Sequence, residues 1–354
     1  MDKYSALGLQ TTFYTVKHRD DTKINLEHIC RVLDSAFWLA SLEAPVKLVA
    51  LGEGAIQGFT DSMLNMEHVK AARELMTEVP GMETEILAAK AKELKTYLIG
   101  QVRAKEKEFK DRYFNVVFIL NPKGEIIHKY HKLQVYPNEP SATPHDLWDR
   151  WVELYGDDLD AFYPVADTEI GRLGTMVCME GSYPEPARGL AMNGAEVIYR
   201  PSYVEPWVGN GWFELQNRSR ALDNNCYVIS PNTGSCAGMV GDGQRFPIDF
   251  AGGNSMIVDY RGNVISRYTP QGDSYVSATI DIDGLREFRA KSMFGNWLKD
   301  LRTEQYAPIY RNPIYPKNTF MTEPPKGKEA RKELLRQTIQ GLFDRGTWVA
   351  PEKL

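Results

Sequence analysis

Three residues of this sequence, far apart in the chain, are of types that together could cleave an unreactive bond to carbon: Glu53, Lys132 and Cys178. Each stands at the end of a short apolar or alternating run, Glu53 after VKLVAL, Lys132 closing GEIIHKYHK, and Cys178 after LGTMV. A carboxylate beside a thiol can take its proton. A fixed ammonium can hold the negative oxygen that forms when sulfur attacks a carbonyl or nitrile carbon, and no histidine is needed. Position should also favour the Cys178 thiolate, through backbone N–H groups at the turn and the positive end of the following helix. Each residue has an ordinary reading as well. Glu53 could sit exposed in a Gly-Glu-Gly turn, Lys132 could be a solvated strand-end lysine, and Cys178 could be a buried small hydrophobe. Spacing alone does not choose between these. Gly52, Gly54 and Gly58 miss the G-x-G-x-x-G spacing, so no dinucleotide fingerprint is present.

The elements that must bring these residues together can be read from periodicity. Tyr4 to Thr11 reads as a strand, Asn25 to Leu42 as a helix, and Lys47 to Leu51 as a second strand. Met66 to Thr77 and Thr84 to Lys95 follow as helices parted by Pro80-Gly81, and Tyr97 to Arg103 as a strand. Around the cysteine, Leu173 to Val177 reads as a buried strand. A helix follows with Pro184 and Pro186 in its first turn and Ala187, Leu190 and Ala191 on one face, then a strand over Glu196 to Arg200. Gly211 to Asn224 reads as a helix, Cys226 to Pro231 and Ser274 to Ile282 as strands, and Asp283 to Arg302 as a helix. Strands alternating with helices mark an α/β protein.

Two hairpins repeat one pattern. Phe118 to Tyr130, FILNPKGEIIHKY, aligns without a gap on Met256 to Tyr268, MIVDYRGNVISRY, with identity at Ile119/Ile257, Gly124/Gly262, Ile127/Ile265 and Tyr130/Tyr268. Asn115 and Asn254 precede them, one position out of register. An internal repeat predicts two similar halves, each a mixed sheet with helices on one face, packed through their bare faces. Residues 1–302 are expected to form this domain. From Tyr306 prolines crowd the chain, predicting an extended arm and then a helix over Lys328 to Phe343; residues 303–354 are expected to pack on a partner subunit.

Composition excludes several classes. With 354 residues, 43% hydrophobic, 25% charged and a net charge of -5, the chain reads as an ordinary globular protein with no nucleic-acid or membrane partner implied. It has no long apolar run, and MDKYSALGLQ holds no apolar signal core. Cys30, Cys178, Cys226 and Cys236 form neither a disulfide framework nor a Cys-x-x-Cys pair, so no metal is expected and the cytoplasm is the expected compartment.

The three segments together resemble the nitrilase, or carbon-nitrogen hydrolase, superfamily: Glu53 in LVALGEGAIQGF, Lys132 in KYHKLQ, and Cys178 in GRLGTMVCMEGSYPEPARGLAMNGAE. The likeness runs from about residue 4 to 282, and Pro80 to Glu85 with the Asn-Glu-Pro after Lys132 look most like aliphatic amidases and formamidases. The resemblance implies a four-layer α-β-β-α sandwich, Glu53 as general base, Lys132 as oxyanion stabiliser, Cys178 as nucleophile and Glu139 as a supporting carboxylate, with no cofactor. It implies an amidohydrolase acting on a linear carboxamide, with a nitrilase or N-carbamoyl amidohydrolase on the same triad as the alternative, and a homo-oligomer. A scaffold that kept the fold and lost activity is a third reading. Met179, Tyr136, Tyr203 and Trp207 are the expected substrate-binding residues. Trp148, Trp151 and Trp212 are further aromatics expected near the pocket. Gly54, where amidases commonly carry an aromatic residue, implies extra room. Met179-Glu180 fits neither the amidase nor the nitrilase pattern fully.

Overall fold

Strand alternation decides the layering. In the first strand Ala6 points to one face and Leu7 and Leu9 to the other. Leu48 and Ala50 oppose Val49 and Leu51 in the same way, and Val117 and Ile119 oppose Val116 and Phe118. Apolar residues on both faces require cover on both faces. The computed structural model describes residues 1–204, 208–239 and 251–352. It contains two six-stranded sheets that supply this cover to one another. Ala6, Leu48, Ile99, Val117 and Ile119 of one sheet share a core with Leu173, Val197, Tyr199, Ile229 and Ile257 of the other. The outer face of the first sheet packs on the helices Thr22–Ala40 and Met82–Leu94. The outer face of the second packs on Pro184–Met192 and Val208–Asn224. This is the α-β-β-α sandwich expected.

The internal repeat extends to the whole strand order. The first sheet runs Ile126–His131, Tyr113–Leu120, Tyr97–Lys105, Val46–Leu51, Tyr4–Gln10, Ser274–Ile280. The second runs Val264–Tyr268, Ser255–Val258, Tyr227–Ser230, Val197–Tyr199, Gly171–Thr175, Val165–Thr168. In each, two parallel pairings at the centre are flanked by two antiparallel pairings on the hairpin side and one on the other. The two hairpin turns share one backbone hydrogen-bond pattern. The Asn121 side chain accepts from the Lys123 and Glu125 N–H groups, and Asp259 from those of Arg261 and Asn263. Gly124 and Gly262 both adopt φ 80°, which a side chain would strain.

One expected helix is shorter than its pattern. It spans Ile282–Lys291 and stops at Ser292, because Gly295 takes φ 95° and the Asn296 amide turns back to the Arg289 carbonyl at 2.7 Å. The arm carries a helix over Gly327–Asp344. Before it, the Asn318 and Phe320 N–H groups donate to the His145 and Asp146 carbonyls of the same chain, at 3.0 and 3.1 Å. Among the described residues no helix is long and apolar enough to cross a membrane.

Candidate active site

The parallel strand Val46–Leu51 delivers Glu53 at its carboxyl end. The edge strand Ile126–His131 delivers Lys132, and Gly171–Thr175 leads to Cys178. All three side chains are buried. Lys132 Nζ donates to Glu53 Oε1 at 3.1 Å and to Glu139 Oε2 at 2.7 Å. Asn115 Nδ2 bridges the same two carboxylates at 3.1 and 2.9 Å. Asn115 Oδ1 accepts from Gln101 Nε2 at 2.7 Å, and Gln101 Oε1 accepts the Gly54 N–H at 2.8 Å, which fixes the turn holding Glu53. Buried charges persist only when paired. Here one ammonium serves two carboxylates, and Arg103, ion-paired with Asp61, stands 3.8 Å from Glu139. Burial works against the Lys132 ammonium, but Glu139 and Glu53 hold it well above the ordinary lysine range. Burial likewise works against the Glu139 carboxylate, and Lys132 and Arg103 override it, holding the group down at about 2.

Cys178 sits at φ 50°, in the left-handed region that a residue with a side chain visits only when its surroundings impose it. Its N–H donates to the Pro201 carbonyl at 2.8 Å, and its own carbonyl accepts from Arg200 Nε at 3.0 Å. The buried Arg200 fork also donates to Asn217 at 2.7 Å and Gln216 at 2.6 Å, both on the helix Val208–Asn224. Gly181 is required here, since a Cβ at that position would fall on the Arg200 guanidinium. Burial and the Glu53 charge push the thiol up to about 12, against Lys132, Arg200 and a backbone N–H of Tyr203. The resting sulfur is therefore a thiol. Position alone does not favour the thiolate: burial and Glu53 outweigh Lys132, Arg200 and the Tyr203 N–H.

Glu180, two residues on, is fully buried and joins the pieces. Its Oε2 accepts the Val177 N–H at 2.6 Å, beside Cys178. Its Oε1 accepts the Leu133 N–H at 2.7 Å, beside the lysine, and the Tyr130 hydroxyl at 2.5 Å. Burial raises its carboxyl to about 7 despite these donors.

The other expected positions separate. Met179 lies in the 3-10 turn Cys178–Ser182. Tyr203 is half-buried, stacked on Phe59 with ring centres 4.8 Å apart and edge-on to Phe13. Tyr136 is 54% exposed, its carbonyl accepting the Glu139 N–H at 2.8 Å. Trp207 lies outside the described residues. The further tryptophans differ in setting. Trp151 is a core residue packed on Phe109, Phe114 and His131, and Trp212 is 56% exposed. Gly54 does not open room either: a Cβ there would strike the Phe59 ring, so an aromatic side chain from further along the turn fills that space. Sequence reasoning missed Gln101, Arg103, Ser141 and Arg200. Asn115 was noticed only as part of the hairpin repeat. The usable signal at Gln101, Arg103 and Asn115 is a polar residue inside an otherwise apolar strand; Ser141 and Arg200 lie outside the strands and carry no such signal.

The family model for carbon-nitrogen hydrolase matches residues 19–290. A formamidase of Bacillus cereus (strain B4264) is 30% identical over 250 residues, covering 70% of this chain and 67% of the formamidase. Among solved structures, a carbon-nitrogen hydrolase from Helicobacter pylori G27 superposes with a TM-score of 0.65 at 21% identity, covering 88% of this chain and 99% of that one. A variant amidase from Nesterenkonia sp. AN1, showing covalent addition of the acetamide moiety of fluoroacetamide at its active site cysteine, gives 0.59 at 16% identity over 86% and 96%.

Proposed function

The chain belongs to the carbon-nitrogen hydrolase family, and from that premise we propose that it is a cysteine-dependent amidohydrolase that cleaves a linear carboxamide to carboxylic acid and ammonia through a thioester on Cys178. The observation that carries this reading is one buried ammonium, Lys132, shared by Glu53 and Glu139 and coupled electrostatically to Cys178. Glu53 takes the Cys178 proton as sulfur bonds to the carbonyl carbon. The oxyanion is held by Lys132 and the Met179 N–H. On collapse the carbon–nitrogen bond breaks and Glu53 returns the proton to the leaving ammonia. Glu53 then takes a proton from water, whose oxygen attacks the thioester; the acid departs and the proton goes back to sulfur. Glu139 keeps Lys132 charged and fixed throughout. A thiol held near pKa 12 supports a base-assisted attack over a standing thiolate.

Intact-protein mass spectrometry after mixing with a panel of amides tests this. The added mass should equal an acyl group and map to Cys178. Turnover by Cys178→Ala, or acyl mass on another cysteine, would refute it. Nitrile consumption without amide consumption, or release of CO2, would move the assignment to a nitrilase or a carbamoyl hydrolase. We also propose a homo-oligomer, supported by exposed apolar side chains at Leu215 and Leu222 on the helix Val208–Asn224 and at Ile309 and Ile314 in the arm.

A further inference from the structure

The family match ends at residue 290, yet a residue beyond it reaches the frame of the site. Arg331, on the helix Gly327–Asp344, is only 5% exposed. Its Nη2 donates to the Ser141 carbonyl at 3.0 Å and to Asp146 Oδ2 at 3.1 Å. Ser141 Oγ in turn donates to Glu139 Oε1 at 2.7 Å, and Glu139 accepts from Lys132. Asp146 is the hub of this attachment. It also accepts from the Thr143 N–H and hydroxyl and, from the arm, from Thr319 Oγ1 at 2.7 Å. The Arg331 guanidinium lies over the Phe320 ring, 5.0 Å from its centre, and the Phe320 carbonyl accepts from Arg112. On its other side the loop is tied to the body by the Ala142 N–H to the Tyr113 carbonyl at 2.9 Å, and by His68 Nδ1 to the Pro140 carbonyl at 2.9 Å.

We propose that Arg331 is a positioning residue: the C-terminal arm clamps residues 139–146 and so holds Glu139 against Lys132. This rests on the catalytic reading for its kinetic consequence but not for its structural one. A loop gripped on one side only would let the Glu139 carboxylate move. A shift of this kind weakens a charge-assisted bond steeply, because the bond depends on distance and angle. Arg331 also lies within electrostatic reach of Glu139, adding positive charge to that which keeps it ionised.

The test uses the full chain with Arg331→Met and Arg331→Lys, read by hydrogen exchange over residues 139–146, by kcat, KM and the acid limb of the pH profile, and by thermal melting. In Arg331→Met we expect exchange in the loop to quicken at least tenfold and kcat to fall about 10- to 100-fold with KM within about threefold, while the acid limb, which follows Glu180 near 7, stays in place. Arg331→Lys keeps the charge but loses the planar fork; it should restore only part of kcat. If Arg331→Met does not fold, Arg331→Lys decides, and wild-type exchange and kcat in that variant overturn the proposal. Unchanged loop exchange in a folded Arg331→Met overturns it whether or not the chain hydrolyses amides. Failure of the wild type on every amide, nitrile and carbamoyl substrate would sink the catalytic reading alone.

Discussion

Replacing Glu180 by glutamine should alter activity and stability with opposite pH dependences. Three donors converge on this carboxylate, from Val177, Leu133 and Tyr130, and its ionised form satisfies all of them. Lys132 and Arg200 face it with positive charge, while Tyr130 and Tyr163 are the neighbouring phenols. Its carboxyl is raised from 4.5 to about 7, so folding favours the protonated form. The associated stabilisation is complete below the unfolded value and is lost as pH rises through about 7. At about 1.4 kcal/mol per pH unit it amounts to roughly 3 kcal/mol. Catalysis should run the other way, because the ionised bridge is what ties the Cys178 turn to the Lys132 strand. Wild-type kcat should therefore rise between pH 6.5 and 8.5 while the Glu180 contribution to Tm falls. Glutamine cannot accept on both sides. It presents an NH2 group to one of the backbone N–H groups, and losing one charge-assisted bond of about 1.5–3 kcal/mol translates to a 10- to 100-fold fall in kcat. Glu180→Gln should also flatten both pH dependences. His68 and His128, held neutral down to about 4, change stability below this window. The assay is kcat by ammonia release and Tm by calorimetry, in parallel at each pH. A variant with wild-type kcat and an unchanged acid limb, or a difference in Tm that does not vary from pH 6.5 to 8.5, would refute the reasoning.

Cys178→Ala should abolish turnover and Cys178→Ser should leave little, measured by ammonia release, with the fold retained by circular dichroism. Alkylation of Cys178 by a simple alkyl iodide should stay slow to pH 9, since burial and Glu53 hold the thiol near 12, while a haloacetamide that can use the oxyanion site should react faster; equal rates would contradict the placement. Asn115→Ala removes donors to both Glu53 and Glu139 and should lower kcat by about 10-fold or more, with a smaller effect on KM. Gly181→Ala should lower stability by about 1–3 kcal/mol in a denaturant titration, because its methyl group meets the Arg200 guanidinium that braces the Cys178 carbonyl.

Much of this protein is written locally. Alternating strands such as Tyr4–Gln10, the Pro184–Met192 helix with its prolines in the first turn, and two hairpins sharing one turn chemistry were legible because period, cap and glycine act over a few residues. The types at Glu53, Lys132 and Cys178 were legible too, since each stands where a strand ends. Tertiary structure decided what surrounds them. Burial raised the Cys178 thiol above the thiolate range. Strands remote in sequence brought Asn115, Gln101 and Arg103 behind the carboxylates. Phe59 filled the space beside Gly54. Glu180 and Arg331 became clamps only because the chain folded partners from other elements against them. Desolvation and long-range pairing depend on which surfaces meet, and no window of neighbouring residues carries that information.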